Sequence, residues 1–272
     1  MSGVILTLLE QPGTTSGLLV ASERLAELMG GAQIDVFVVR TPPEATILPS
    51  EEVLTKRQFT LVRERERARA SALRAAFDQW QAERRIETLS VRWWDLEGLV
   101  DGAIKEWGPR ADMIVLRFPG GDDWHPAQQA VYTALFETDR PVLIVPAGPP
   151  VPFGRRVAIA WRDDRQATRA VLSALRCRHA PKRVLVLAGE RQGSPRPVVP
   201  DILLEHGIEA ELQVLPIGKG AFGKTLLTKT HELAGDMLVM GAYRHSALRE
   251  FILGGLTRYI LGHADLPVLM RR

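Results

Sequence analysis

Cysteine is all but missing from this chain: Cys177 is the single one in 272 residues. One thiol excludes an intramolecular disulfide and a metal cluster built on cysteines. Placed just past an expected helix, Cys177 reads as a small buried side chain. Long apolar runs are missing as well. Val142-Leu143-Ile144-Val145 and Met237-Leu238-Val239-Met240 have the length of strands, far below the roughly 20 residues that span a bilayer. The apolar run at 4–9 meets Glu10 at once and has neither a basic flank nor a small-residue cleavage site, so it reads as a first strand and not a signal peptide. There is no Gly-x-Ser-x-Gly elbow and no His-Glu-x-x-His pair. Nor is there a surface of interleaved basic and aromatic residues of the kind that holds single-stranded nucleic acid. These absences point to a cytoplasmic protein without membrane or nucleic-acid partners, and they name no catalytic residue. What is present, 46% hydrophobic and 25% charged residues, is the composition of a globular chain.

The formal charge of +3 conceals an asymmetry. Residues 1–150 hold 16 Lys/Arg against 21 Asp/Glu, a net of −5, and residues 151–272 hold 19 against 11, a net of +8. A basic second half favours anionic ligands through its summed field; equally, two halves of opposite charge attract each other.

The chain also repeats itself. Ala111-Asp112-Met113-Ile114-Val115-Leu116-Arg117 matches Gly235-Asp236-Met237-Leu238-Val239-Met240-Gly241, and further on Asp139-Arg140-Pro141-Val142-Leu143 matches Asp265-Leu266-Pro267-Val268-Leu269. A duplication over so long a period means two domains and not a solenoid. Short Val/Leu/Ile runs predict strands at 4–8, 34–39, 88–92, 113–116 and 142–145, then at 157–161, 184–187, 211–215, 237–240 and 268–270. Amphipathic stretches between them predict helices, in the second half near 165–175, 199–205, 223–233 and 257–262. Alternation of this kind specifies an α/β fold: two tandem domains, each a five-stranded parallel sheet with helices on both faces. The expected division is 1–150 and 151–272, across the stiff segment Pro146-Ala147-Gly148-Pro149-Pro150-Val151-Pro152. The first half carries an insertion at 50–85, a long helix whose Arg63-Glu64-Arg65-Glu66-Arg67 run reads as a solvated face. Trp93-Trp94, expected at a strand end, would set one ring in the core and one at a domain contact.

The stretch Met240-Gly241-Ala242-Tyr243-Arg244-His245-Ser246-Ala247-Leu248-Arg249-Glu250-Phe251, continuing Ile252-Leu253-Gly254-Gly255-Leu256-Thr257-Arg258, resembles the signature of the universal stress protein family. The second half resembles that family over almost its whole length; the first does so through its strand pattern and its segment 136–146. The resemblance implies frequent dimerisation and roles in stress survival, with some members binding ATP and others not. It makes the two halves an intramolecular pseudo-dimer, with a homodimer of whole chains as a further expectation. It also implies a site for an adenine nucleotide, ATP or AMP, or another small anion in the second half, with Asp163, Gly241, Arg244, His245, Gly254, Gly255 and Leu256 as its candidate residues. Physically, open parallel sheets bind ligands beyond the carboxyl ends of their strands where strand order reverses. Gly241 there admits close backbone approach, and Gly254 and Gly255 open a helix whose free N–H groups suit phosphate.

Three positions depart from the binding pattern. Arg244 stands where the signature has its second glycine, and Arg162 falls where nucleotide-binding members carry an acid, with Asp163 next to it. In the first half Glu10 takes the acidic place, but Arg117-Phe118-Pro119-Gly120-Gly121 abandons the glycine signature, so no nucleotide is expected there. Arg244 either fills the second pocket, paired with Asp163 or Asp164, or clamps an anion; the first is the expectation.

One further motif competes. Gly218-Lys219-Gly220-Ala221-Phe222-Gly223-Lys224-Thr225 fits the phosphate-loop pattern and lies between an expected strand and helix. An ATPase of that type needs an acid at the end of a neighbouring strand to hold Mg²⁺, and the strand at 237–240 has Asp236 at its beginning instead. The leading expectation is a non-catalytic stress-response protein; a weak ATPase using the 218–225 loop and a purely structural interaction protein are the alternatives. Asp122-Asp123-Trp124-His125 reads as an acidic turn and not a metal site.

Overall fold

Alternate residues of each strand enter two separate cores. In the first half Ile5, Val36 and Val115 pack on one side of the sheet while Leu6, Phe37 and Ile114 pack on the other; in the second half Ile159, Val186 and Val239 oppose Ala158, Leu185 and Leu238. Strands buried on both faces must be apolar at nearly every position, which is why they read as continuous runs and not as alternation. The computed structural model describes residues 3–46, 55–84, 89–118, 124–148, 152–218, 221–242 and 255–272. Arg244, His245 and Gly254, with Lys219, Gly220, Asp122 and Asp123, lie outside the described residues.

The strands are β1 (Gly3–Leu9), β2 (Ala32–Arg40), β3 (Val91–Glu97), β4 (Met113–Arg117), β5 (Val142–Val145), β6 (Arg156–Trp161), β7 (Arg183–Glu190), β8 (Glu211–Pro216), β9 (Met237–Gly241) and β10 (Val268–Arg271). The helices are α1 (Thr15–Leu28), α2 (Lys56–Glu83), α3 (Val100–Trp107), α4 (Trp124–Glu137), α5 (Arg165–Ala174), α6 (Asp201–Glu205), α7 (Phe222–Glu232) and α8 (Gly255–His263). Helices α1, α2, α5 and α6 cover one face of the sheet and α3, α4, α7 and α8 the other. None of the described helices is long and apolar enough to cross a membrane.

All ten strands form one sheet, in the order β3-β2-β1-β4-β5-β10-β9-β6-β7-β8. Each half has the same internal order and is parallel throughout, as expected. The halves meet where β5 and β10 pair antiparallel, with Leu143 opposite Leu269. These are the strands of the repeated Pro-Val-Leu segments, so each half meets the other through its own copy of one sequence.

Two local expectations need correction. Trp93 and Trp94 lie inside β3, not at a strand end, and neither ring reaches a domain contact, because β3 is the outermost strand of the first half. Trp93 packs 5.0 Å from Phe77 of α2 on one face, and Trp94 packs 5.1 Å from Trp107 of α3 on the other. In α2 the charged run is not solvated throughout. Glu66 accepts from the backbone N–H of Thr41 at 3.0 Å and from Arg69 Nη2 at 2.8 Å.

Candidate functional site

Strand order reverses between β1 and β4 and again between β6 and β9, so the fold offers one carboxyl-end crevice per half. Because β5 and β10 run in opposite directions, the two crevices open on opposite edges of the sheet.

The second crevice is bordered by the end of β6, the end of β9 and the start of α8. Ile5 stands beside Met113 and Val157 beside Met237, so the repeat aligns Ile5 with Val157 and, five residues on, Glu10 with Arg162. Arg162 therefore occupies the acidic place, and Asp163 lies one residue beyond it, exposed. Asp164 is committed locally. It caps α5 by accepting from the N–H of Ala167 at 2.9 Å, and it is paired with Arg162.

Gly241 is sterically required. A Cβ there would lie 2.7 Å from the backbone N of Ala167 and 2.7 Å from the carbonyl carbon of Gln166, closer than atoms pack. The first turn of α5 thus presses on the end of β9. Gly255 differs, since among the described residues a Cβ there would meet nothing within 4 Å. It opens α8, and Leu256 beside it packs partly into the core. Arg271 stands beside Gly241 in the register and is committed to the contact between halves. Its Nη1 is 3.2 Å from Ser173 Oγ and its Nη2 donates to the carbonyl of Asp139 at 3.1 Å.

In the first crevice Arg117 aligns with Gly241, and among the described residues its buried Nε has no hydrogen-bond partner. Arg69 reaches the same edge from α2, donating to the carbonyl of Glu10 at 3.0 Å and to that of Val39 at 2.6 Å. A guanidinium and its paired carboxylate thus cover the carboxyl ends of β1 and β2. Sequence reasoning missed Arg69, because nothing in a charged helical run marks which side chain turns inward. Burial pushes the Glu66 carboxyl up, but hydrogen bonds from Arg69 and the Thr41 amide outweigh it and hold the group below its ordinary 4.5.

The phosphate-loop look-alike opens α7. Gly223 lets that helix pack against α8, since a Cβ there would lie 2.5 Å from Cδ1 of Tyr259. The backbone N–H of Lys224 donates to the carbonyl of Ala221 at 2.9 Å, and the side chain of Lys224 is exposed. Among the described residues no group of His, Cys, Asp and Glu is placed to hold a metal ion.

With this geometry in place, the family comparison is decisive: the universal stress protein family model matches residues 127–272, more than half the chain. The chain belongs to the universal stress protein family. The match begins within α4, before β5. Among solved structures, a universal stress protein from Archaeoglobus fulgidus DSM 4304 has a TM-score of 0.69 at 14% identity, covering 100% of this chain and 99% of that one. A functionally unknown protein from Pseudomonas aeruginosa PAO1 has a TM-score of 0.60 at 13% identity, covering 99% of this chain and 92% of that one. Both likenesses concern the fold. No curated protein matches the chain. In this universal stress protein, then, ten strands carry two crevices of the same topology whose side chains have diverged.

Proposed function

We propose that this universal stress protein is a non-catalytic stress-response protein whose second half, 151–272, takes an adenine nucleotide or another small anion at the carboxyl ends of β6 and β9. The first half, 1–150, serves as scaffold and partner surface, the two forming an intramolecular pseudo-dimer through β5 and β10. The observation that carries this reading is the difference between the crevices: Arg69 and Arg117 stand at the first, whereas the second keeps Gly241, and no described residue crowds Gly255 at the start of α8. Helix N–H groups and their dipole suit a phosphate at such a place. The +8 charge of the second half favours an anion there.

Arg162 and Arg244 weaken the site, with Arg162 standing where an acid belongs. ATP titrated by calorimetry into the whole protein and into Arg244→Gly tests the reading. The glycine variant should bind more tightly than the natural protein. Tighter binding by the natural protein makes Arg244 a ligand clamp. No saturable binding by either favours the purely structural alternative. The ATPase alternative has less support, because Gly223 is explained by Tyr259 and the Lys224 amide by the carbonyl of Ala221.

A further inference from the structure

Beyond the amino ends of β1 and β2, at the edge opposite the first crevice, lies a cleft of about 850 Å³. That volume is in the range of small-molecule sites, roughly 300–1,000 Å³. Both halves build it: Gly31, Gln33 and Ser90 come from the first, and Arg178 and His179 from the second.

Arg178 and His179 are seated on the end of α1. That helix stops at Gly30 and Gly31, with φ of 74° and 103°, whose amides close back on the carbonyls of Glu27 and Ala26. The missing side chain at Gly30 makes room for the stem of Arg178, whose Cδ would lie 2.7 Å from a Cβ there. The backbone N–H of His179 donates to the carbonyl of Leu28 at 3.1 Å. The loop of the second half is thereby seated on the first.

Among the described residues that line the cleft, Arg178 is a charge without a partner. Arg24 is matched by Glu27 at 2.9 Å and tied to the carbonyl of Phe153 at 3.0 Å. Arg178 and His179 are exposed, and among the described residues their side chains have no hydrogen bond or ion pair. The negative end of the α1 dipole, worth about half a charge, offsets only part of this. An exposed arginine fork lining a concave space suits an oxyanion, above all phosphate.

We infer that this cleft binds a small phosphate-bearing anion through Arg178 and His179, with the Ser90 hydroxyl as a further donor. The site is distinct from both carboxyl-end crevices and depends on the two halves being joined.

Inorganic phosphate titrated into the whole ¹⁵N-labelled protein, read by amide shifts and calorimetry, tests it. Saturable shifts are expected at Gly30, Gly31, Ser90 and His179. Arg178→Ala should weaken binding by about tenfold, the scale of one charged hydrogen bond, and Arg178→Lys by less, since charge remains without the fork. His179→Gln should weaken it as well. Shifts confined to Gly241 and Gly255 would place the anion at the crevice proposed above and overturn this site. So would an unchanged affinity in a folded Arg178→Ala protein, or the absence of any shift at the cleft. If Arg178 only caps the end of α1, its loss lowers stability and leaves phosphate binding as it was.

Discussion

The carboxylate of Asp236 accepts the backbone N–H of Gly154 at 2.8 Å and lies within 3.2 Å of the next two amides, those of Arg155 and Arg156. Its counterpart Asp112 accepts the N–H of Val4 at 2.9 Å. The aspartate of each repeated Asp-Met segment therefore secures the start of the first strand of its half. Hydrogen bonds to a charged acceptor contribute about 1.5–3 kcal/mol, so Asp236→Ala should cost about that much in urea unfolding. Asp112→Ala should cost less, since Asp112 holds one backbone amide where Asp236 holds three.

Substitution of the two glycines of the crevice should separate their roles. Gly241→Ala forces a methyl into the backbone of α5 and should destabilise by about 1–3 kcal/mol, as overpacking does. Gly255→Ala meets none of the described residues and should leave the melting temperature within a few degrees. A nucleotide affinity lowered by Gly255→Ala in a fully stable protein would support the proposed site, and an unchanged one would count against it.

Acid should loosen the contact of α2 with the first crevice. The Glu66 carboxyl lies below its ordinary 4.5 in the folded chain, so its stabilising contribution is present above that value and is lost as pH falls through and below it. Arg69→Ala should weaken that dependence, the Thr41 amide remaining, while lowering stability at neutral pH. Urea midpoints measured between pH 7 and pH 3 on both proteins decide it; a parallel fall in the two means that Glu66 is not responsible. Asp139 adds to the acid response between the halves. Burial raises it, but the hydrogen bond from Arg169 and the charge of Arg271 hold it below 3.8, so its contribution also disappears on acidification.

Lys224→Ala should leave any ATP turnover and any nucleotide affinity nearly unchanged. A loss of magnesium-dependent hydrolysis of about a thousandfold, the scale of removing a major electrostatic group, would promote the ATPase alternative instead.

Cys177 should be inert in the folded protein. Burial pushes its thiol up to about 11, far from the thiolate that reacts. A disulfide reagent at pH 7.5 should modify it slowly, and much faster after unfolding in urea. Rapid modification of the native chain would contradict this.

Much of the fold was legible because a two-faced parallel sheet demands apolar runs, and nine of the ten runs fell on their observed strands. The exception was β3, expected at 88–92 and found at Val91–Glu97. As an edge strand it mixes arginine, aspartate and glutamate with its tryptophans, so its hydrophobic signal is diluted. The repeated Asp-Met and Pro-Val-Leu segments announced a duplication, since both halves keep the residues that start and close the same sheet.

Tertiary structure alone decided how the copies meet and what stands at each crevice. That β5 and β10 join ten strands into one sheet follows from pairing across 126 positions, as between Leu143 and Leu269, which no local pattern encodes. That Gly241 yields to α5, Gly223 to Tyr259 and Gly30 to Arg178 likewise depends on elements distant in the chain. The sequence determined where glycine occurs. Which neighbour fills the space of its missing side chain was settled only by packing, because contacts between helices and strands are made after the chain has closed its long loops.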